Sequence, residues 1–233
     1  KALYFLKRLF HNPREDWHKT NLNFFVNCKR ILDVGCGKGL FLGLAPDKVI
    51  GIDQNCFFLK ECVNKGYTVI RGEALNLPFG EESFDGVYCA DLIEHFSPFD
   101  LRHLLIEMSR ALKVGGLLVI ATPLPSKMFW NDPTHVRPYP PQCLLSYCVN
   151  DNKKINEAEV TYTLPYNLKF LKFTYRYTQF YQLPVNLYFD GDRMKLSQLI
   201  KPSSLLFMLS NLAARLKLYH PRPEGYTMVM QKV

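Results

Sequence analysis

The sequence has no run of ~18 uncharged apolar residues, so it offers no membrane-spanning helix. It has no Cys-x-x-Cys pair. Its seven cysteines (28, 36, 56, 62, 89, 143 and 148) are odd in number and scattered, several inside apolar runs. That set reads as reduced core thiols of a cytoplasmic chain, with neither a disulfide framework nor a zinc site, and no metal is expected. There is no internal repeat and no low-complexity tract. The stretch KALYFLKRLFHN is too short and too soon interrupted to read as a secretory signal. Its Leu3, Phe5, Leu6, Leu9 and Phe10 have helical spacing, which predicts a helical cover over 1–29. A peripheral place at a membrane surface is the alternative use for that helix.

What is present is enough for one domain with an embellishment: 233 residues, 48% hydrophobic and 21% charged. The formal charge of +8 is uneven. Residues 1–30 carry +5, residues 31–150 carry −3, and residues 151–233 carry +6. Basic flanks around a slightly acidic centre suit an anionic partner, either RNA or a membrane surface, or else form a solvated surface with no ligand.

The centre of the chain is Ile31 to Asp53, ILDVGCGKGLFLGLAPDKVIGID. Ile31, Leu32 and Val34 suit a buried parallel strand. Gly35, Gly37 and Gly39 let a ligand lie against the turn, and a short helix over about 39–44 is expected to offer it free N–H groups. Asp53 ends a second apolar strand, where a carboxylate accepts ribose hydroxyls. The spacing narrows the ligand. A dinucleotide turn, G-x-G-x-x-G, would need glycine at position 40, which is Leu40. The Lys and Ser/Thr of a phosphate-cradling loop are also missing. Asp33 places a negative charge before the turn, which disfavours a pyrophosphate and favours a ligand with an ammonium group. Together these suit S-adenosylmethionine, with S-adenosylhomocysteine as its product.

The pattern D-x-G-x-G-x-G over Asp33–Gly39, followed by Asp53, resembles motif I of the class I S-adenosylmethionine-dependent methyltransferases. Arg71-Gly72-Glu73-Ala74 through Pro78-Phe79 and Ser83-Phe84-Asp85 resembles their G-D-A-x-x-L-P-F…S-F-D signature, with Glu73 in place of the usual Asp. Ala90-Asp91-Leu92-Ile93-Glu94-His95 resembles the segment after their fourth strand, which often ends E-H. The resemblance covers residues 30–123. It implies an α/β, Rossmann-like doubly wound sheet of seven strands, mostly parallel with the seventh antiparallel between five and six, and helices on both faces. The strands expected are Ile31–Val34, Val49–Asp53, Thr68–Arg71, Gly86–Ala90, Leu117–Thr122, Glu157–Leu164 and Tyr226–Gln231. On this reading 30–165 form the cofactor-binding core, 166–224 a small cap or insertion, and 225–233 the last strand. The implied cofactor contacts are Asp33, Gly35, Cys36, Gly37, Gly39, Asp53, Gln54, Glu73, Ala74, Asp91 and Leu92. Glu73 and Ala74 would meet the adenine, and Asp91 the α-ammonium.

The loop after the fifth strand is long, which in a compact domain marks function. Its segment D-P-T-H-V-R-P-Y, Asp132–Tyr139, is similar to one in a methyltransferase subset, some of whose members act in surface-glycan pathways. His135 is the first candidate for a base, with His95 as second, since histidine titrates near neutrality. Arg137 is a candidate for holding a substrate phosphate or carboxylate, and Trp130 and Tyr139 for stacking on an acceptor ring. Each of these also has a purely structural reading. Tyr166–Gln182 mixes Phe and Tyr with Lys and Arg, which suits a cap, a homodimer contact, a membrane surface or stacked bases. Three functions follow: an O-methyltransferase on a small-molecule or glycan-type acceptor, an RNA methyltransferase, or a cofactor-binding subunit without chemistry. Against RNA stand the lack of a recognisable RNA-binding module and of an N-P-P-Y-type motif.

Overall fold

The computed structural model describes residues 13–126, 129–148, 163–176 and 223–233. Residues 15–176 and 224–233 form one compact unit. Its centre is a seven-stranded sheet in the order β3-β2-β1-β4-β5-β7-β6. The strands are β1 (Ile31–Val34), β2 (Val49–Asp53), β3 (Val69–Arg71), β4 (Phe84–Ala90), β5 (Leu112–Pro123), β6 (Leu168–Arg176) and β7 (Gly225–Lys232). Neighbours from β3 to β5 run parallel, and β7 pairs antiparallel with both β5 and β6. The expected doubly wound sheet with its antiparallel seventh strand is therefore present.

Alternation along the strands divides the core between two faces. Leu32 and Val34, Val87 and Cys89, Leu118 and Ile120 pack on one side with Leu101, Leu104, Leu105 and Met108 of α3 (Pro98–Ala111) and Leu144 of α4 (Pro141–Leu145). Ile31, Tyr88, Val119 and Val229 pack on the other with Phe25, Phe41, Leu42 and Leu59 of α2 (Cys56–Asn64). Ser97 caps α3, its Oγ accepting from the Asp100 N–H at 3.2 Å, and Asn55 caps α2 by accepting from Phe57 at 3.0 Å. Helix α1 (Pro13–Leu22) is tied to the sheet by polar contacts. Asn21 Nδ2 donates to the Tyr88 hydroxyl at 3.0 Å, and the Thr227 hydroxyl donates to Asn21 Oδ1 at 3.2 Å.

Two expectations are corrected. The segment after the glycine turn is not an α-helix: only a single 3₁₀ turn, Leu42–Leu44, forms there. Gly43 and the Ala45-Pro46 stop leave too few helix-forming residues for more. The two described residues of the strand expected at Glu157–Leu164, Thr163 and Leu164, are not in a strand, and the strand that pairs with β7 at the sheet's edge is Leu168–Arg176. It is an edge strand, and its exposed Lys169 and Lys172 are what an edge carries to discourage further pairing. Residues 157–162, most of the expected cap, and the apolar residues between Leu3 and Phe10 lie outside the described residues.

Candidate active site

The carboxyl ends of β1, β2 and β4 gather four carboxylates. Asp53 is held by backbone amides, with Oδ2 accepting from the Gly37 N–H at 2.9 Å and Oδ1 from the Asn55 N–H at 2.8 Å. Each oxygen keeps lone-pair capacity for a further donor. Asp33 is buried, and no hydrogen-bond donor reaches its carboxylate among the described residues. Burial, with the charge of Asp53 added, raises its pKa to about 8. The turn itself curls through positive φ at Gly35, Gly37 and Gly39. Its amides point inward: Gly35 and Cys36 both donate to the Ile52 carbonyl, at 2.8 and 3.1 Å. The Leu92 side chain lies over Gly35, where a Cβ would come within 2.9 Å of it. Gly39 packs against Cys62 and Tyr67, so its role is close approach within the fold. Cys36 is buried beside these acids, which, after burial itself, push its thiol pKa up. Gln54 and Glu73 are exposed, and Ala74 packs partly against the core.

Asp91 has a left-handed backbone, φ +49, uncommon for a residue with a side chain. It is not free for a ligand ammonium alone. Arg176 Nη1 donates to its Oδ1 at 3.0 Å, and the same guanidinium stacks 3.5 Å above the Trp17 ring. Beside them sits Glu94, almost fully buried. The Thr122 hydroxyl donates to Glu94 Oε2 at 3.0 Å, and burial, then the charge of Asp91, raises its pKa.

The loops after β4 and β5 are laced to each other. Val136 and Arg137 both donate their amides to the Glu94 carbonyl, at 2.8 and 3.3 Å. The Tyr139 hydroxyl donates to the Phe96 carbonyl at 2.8 Å, and the Tyr226 hydroxyl to the Tyr139 carbonyl at 2.6 Å. This lacing brings His95 and His135 together, with ring centroids 4.9 Å apart. His135 Nδ1 lies 2.8 Å from the Phe129 carbonyl oxygen, and His95 Nδ1 lies 3.1 Å from the Thr134 carbonyl oxygen. A carbonyl oxygen only accepts, so each Nδ1 carries a hydrogen and the neutral ring keeps its lone pair on Nε2. Asp132 Oδ2 stands 3.8 Å from His135 Nε2, and Asp132 Oδ1 accepts from the Thr134 hydroxyl at 2.6 Å.

The other acceptor-side expectations divide. Trp130 is exposed and meets Phe129 edge-on. Arg137 is exposed, with its guanidinium 5.3 Å from the Tyr139 ring centre. Tyr139 itself is a core residue, 2% exposed, so its ring offers no face for an acceptor to stack on. Glu94, Thr122, Trp17 and Arg176 were not singled out by the sequence reading. Glu94 had a signal, since it precedes His95 in the E-H pair. Arg176 was hidden inside the basic, aromatic stretch.

Residues 32–120 match the family described as "Methyltransferase domain". A tRNA (carboxymethyluridine(34)-5-O)-methyltransferase of Arabidopsis thaliana is 39% identical over 92 residues, which is 39% of this chain and 23% of that protein. A phthiotriol/phenolphthiotriol dimycocerosates methyltransferase of Mycobacterium ulcerans is 35% identical over 122 residues, 47% of this chain and 43% of that protein. The chain thus spans less than half the length of these relatives. In fold it is similar to a crystal structure of a SAM-dependent methyltransferase from Archaeoglobus fulgidus, with a TM-score of 0.61, 22% identity and 99% of each chain covered. The glycine turn with its two aspartates, the strand order and these matches together make the core of the chain similar to the class I S-adenosylmethionine-dependent methyltransferases.

Proposed function

We propose that the chain transfers a methyl group from S-adenosylmethionine to an oxygen of a small-molecule or glycan-type acceptor. The observation that carries this reading is a pair of imidazoles, His95 and His135, with Nε2 lone pairs available, in the loops at the same edge of the sheet as the glycine turn and its buried Asp33. S-adenosylmethionine is the family's cofactor, and the turn fits it on two counts. A Cβ at Gly37 would meet nothing within 4 Å, so open space lies over the turn. Asp33, buried with no donor among the described residues, favours a cationic ligand, since a nearby positive charge stabilises its ionised form.

In this reading Asp53 holds the ribose hydroxyls with its remaining lone pairs. Asp33 and Asp91 face the positively charged end, and Glu73 and Ala74 meet the adenine. Gly35, Cys36, Gly37, Gly39, Gln54 and Leu92 line the path between. When bound, the cofactor supplies a methyl on a sulfonium sulfur, which departs as the neutral thioether of S-adenosylhomocysteine. The residues after β4 and β5 handle the acceptor. Its hydroxyl loses its proton at the His95–His135 pair as the new oxygen–carbon bond forms. Trp130 and Arg137 meet the rest of the acceptor in this reading, which their exposure supports.

A second reading, methylation of RNA, draws support from exposed Lys169 and Lys172 on β6 and from the tRNA-modifying relative. The test is transfer of labelled methyl from S-adenosylmethionine into fractionated extract. Label in small molecules or lipid-linked glycan supports the first reading. Label in RNA, with binding that weakens steeply as salt rises, supports the second. Failure to bind S-adenosylhomocysteine removes both.

A further inference from the structure

Among the described residues, Glu94, His95 and His135 bring one ligand-capable atom each to within 4.8 Å of one another. We propose that these three residues form a binding site for a divalent first-row transition ion. What the bound ion does for the acceptor rests on the methyl-transfer reading; that it binds does not.

The geometry around each ligand is that of a supported metal site. Metal-binding imidazoles usually donate their second nitrogen to a carbonyl or carboxylate, which fixes the tautomer and aims the free lone pair. Both histidines do so here, His135 to the Phe129 carbonyl and His95 to the Thr134 carbonyl and hydroxyl. The Thr134 hydroxyl is committed as a donor to Asp132, so it accepts from His95. Glu94 is held in turn by the Thr122 hydroxyl and its own backbone N–H, while the nearby Arg176 is bonded to Asp91 and acts on Glu94 only through its charge. Asp132, 3.8 Å from His135 Nε2, adds negative charge on the solvent side.

Two imidazoles and one carboxylate leave open coordination positions, the arrangement of sites that act on a bound oxygen. Nitrogen ligands favour ions such as Mn²⁺, Co²⁺ or Zn²⁺ over Mg²⁺, which prefers all-oxygen shells. An acceptor hydroxyl bound at an open position is acidified by the ion and gives its proton to water. With the ion bound, His135 is a ligand and water takes the proton; without it, the imidazole pair takes the proton as described above. The site stands at the carboxyl ends of β4 and β5, on the same edge as the glycine turn.

The experiment titrates full-length protein, freed of metal with chelator, with Mn²⁺ and separately with Mg²⁺. Heat and the paramagnetic signal of unbound Mn²⁺ are read together. The expected result is one Mn²⁺ per chain, much weaker binding of Mg²⁺, and loss of the Mn²⁺ site in His95→Ala and in His135→Ala. Thr122→Val, which releases the Glu94 carboxylate without removing a ligand, is expected to weaken Mn²⁺ ~10–100-fold. S-adenosylhomocysteine binding by each variant reports that the fold is intact. The proposal is overturned by Mn²⁺ binding below one equivalent, by equal affinity in both histidine variants, or by Mg²⁺ binding as tightly as Mn²⁺. Full methyl transfer by the metal-free protein overturns the role given to the ion and leaves the methyl-transfer reading standing. Mn²⁺ binding by a chain that does not take S-adenosylhomocysteine does the reverse.

Discussion

The Arg176 guanidinium lies 3.0 Å from the Asp91 carboxylate and stacks 3.5 Å above the Trp17 ring. A side-chain cation thus already contacts the carboxylate that sequence reasoning assigned to the cofactor's ammonium. Two groups of one sign compete for it. Arg176→Ala is expected to tighten S-adenosylhomocysteine several-fold, ~1 kcal/mol in binding. The same change is expected to lower stability by ~1–3 kcal/mol, since a mostly buried ion pair and a stacked cation are both lost. Calorimetric titration and denaturant unfolding check the two halves. Weaker ligand binding in the variant would show that Arg176 acts with the ligand.

Asp33 gives the site a pH dependence of unusual sign. Its pKa is about 8 in the fold, against 3.8 as the ordinary value, so the folded chain holds a proton that the unfolded chain has released. Its contribution to stability is therefore full below pH ~4 and declines as pH rises towards 8. Each unit of pH in that window is worth at most ~1.4 kcal/mol. Ligand binding has the opposite slope, because a nearby ammonium prefers the carboxylate. S-adenosylhomocysteine affinity is expected to rise from pH 6 to 8, with proton release on binding. Asp33→Asn should flatten both trends. A wild-type affinity independent of pH across that range would show that Asp33 stays away from the ligand's charge.

Gly37 and Gly39 separate two uses of glycine. Both have positive φ. At Gly39 a Cβ would meet Cys62 Sγ at 2.9 Å and the Tyr67 ring at 3.0 Å, so Gly39→Ala is expected to cost stability, ~2–3 kcal/mol. At Gly37 a Cβ would meet nothing within 4 Å, so Gly37→Ala bears only the backbone strain, ~1 kcal/mol. Its larger effect should be on cofactor affinity, because the methyl enters the space over the turn. Unfolding curves beside ligand titrations distinguish the two. Equal effects of both changes on binding would sink the distinction.

Tyr139 and His135, four residues apart, are expected to behave differently. Tyr139→Phe removes the hydrogen bond to Phe96 and should cost ~1 kcal/mol of stability, with acceptor KM unchanged. His135→Ala should lower turnover ~10²–10⁴-fold while S-adenosylhomocysteine binds nearly normally. Asp53→Ala should show the converse, with weakened cofactor binding first. Steady-state kinetics and titrations on the three variants read out the contrast.

The sequence made the parallel half of the fold plain because β1, β2, β4 and the second half of β5 are largely buried, and such strands read as near-continuous apolar runs. β6 was misplaced because an edge strand wet on one side needs no such run. Its Leu-Lys-Phe-Leu-Lys-Phe reads equally well as a patch for bases or lipid. The helix expected after the turn failed on composition that was in view, with Gly43 inside it and Pro46 two residues beyond. His95 and His135 were legible as residues and not as a pair. Their meeting depends on Val136, Arg137 and Tyr139 bonding to carbonyls of the other loop, a relationship no spacing encodes. Glu94 was overlooked because a glutamate in a loop reads as solvated, and only the fold buries it.

The position of β7 orders the assembly of the site in time. Among the described residues β6 pairs with the sheet through β7, so residues 168–176 lack their strand partner until the chain has been synthesised through Lys232. Arg176 sits at the end of β6, opposite Gly225. A nascent chain on the ribosome can complete the glycine turn and the two aspartates early, while the guanidinium over Trp17 arrives in the last pairing step. Until then Asp91 and Glu94 lack their neighbouring cation, and the half-built pocket is at its most acidic.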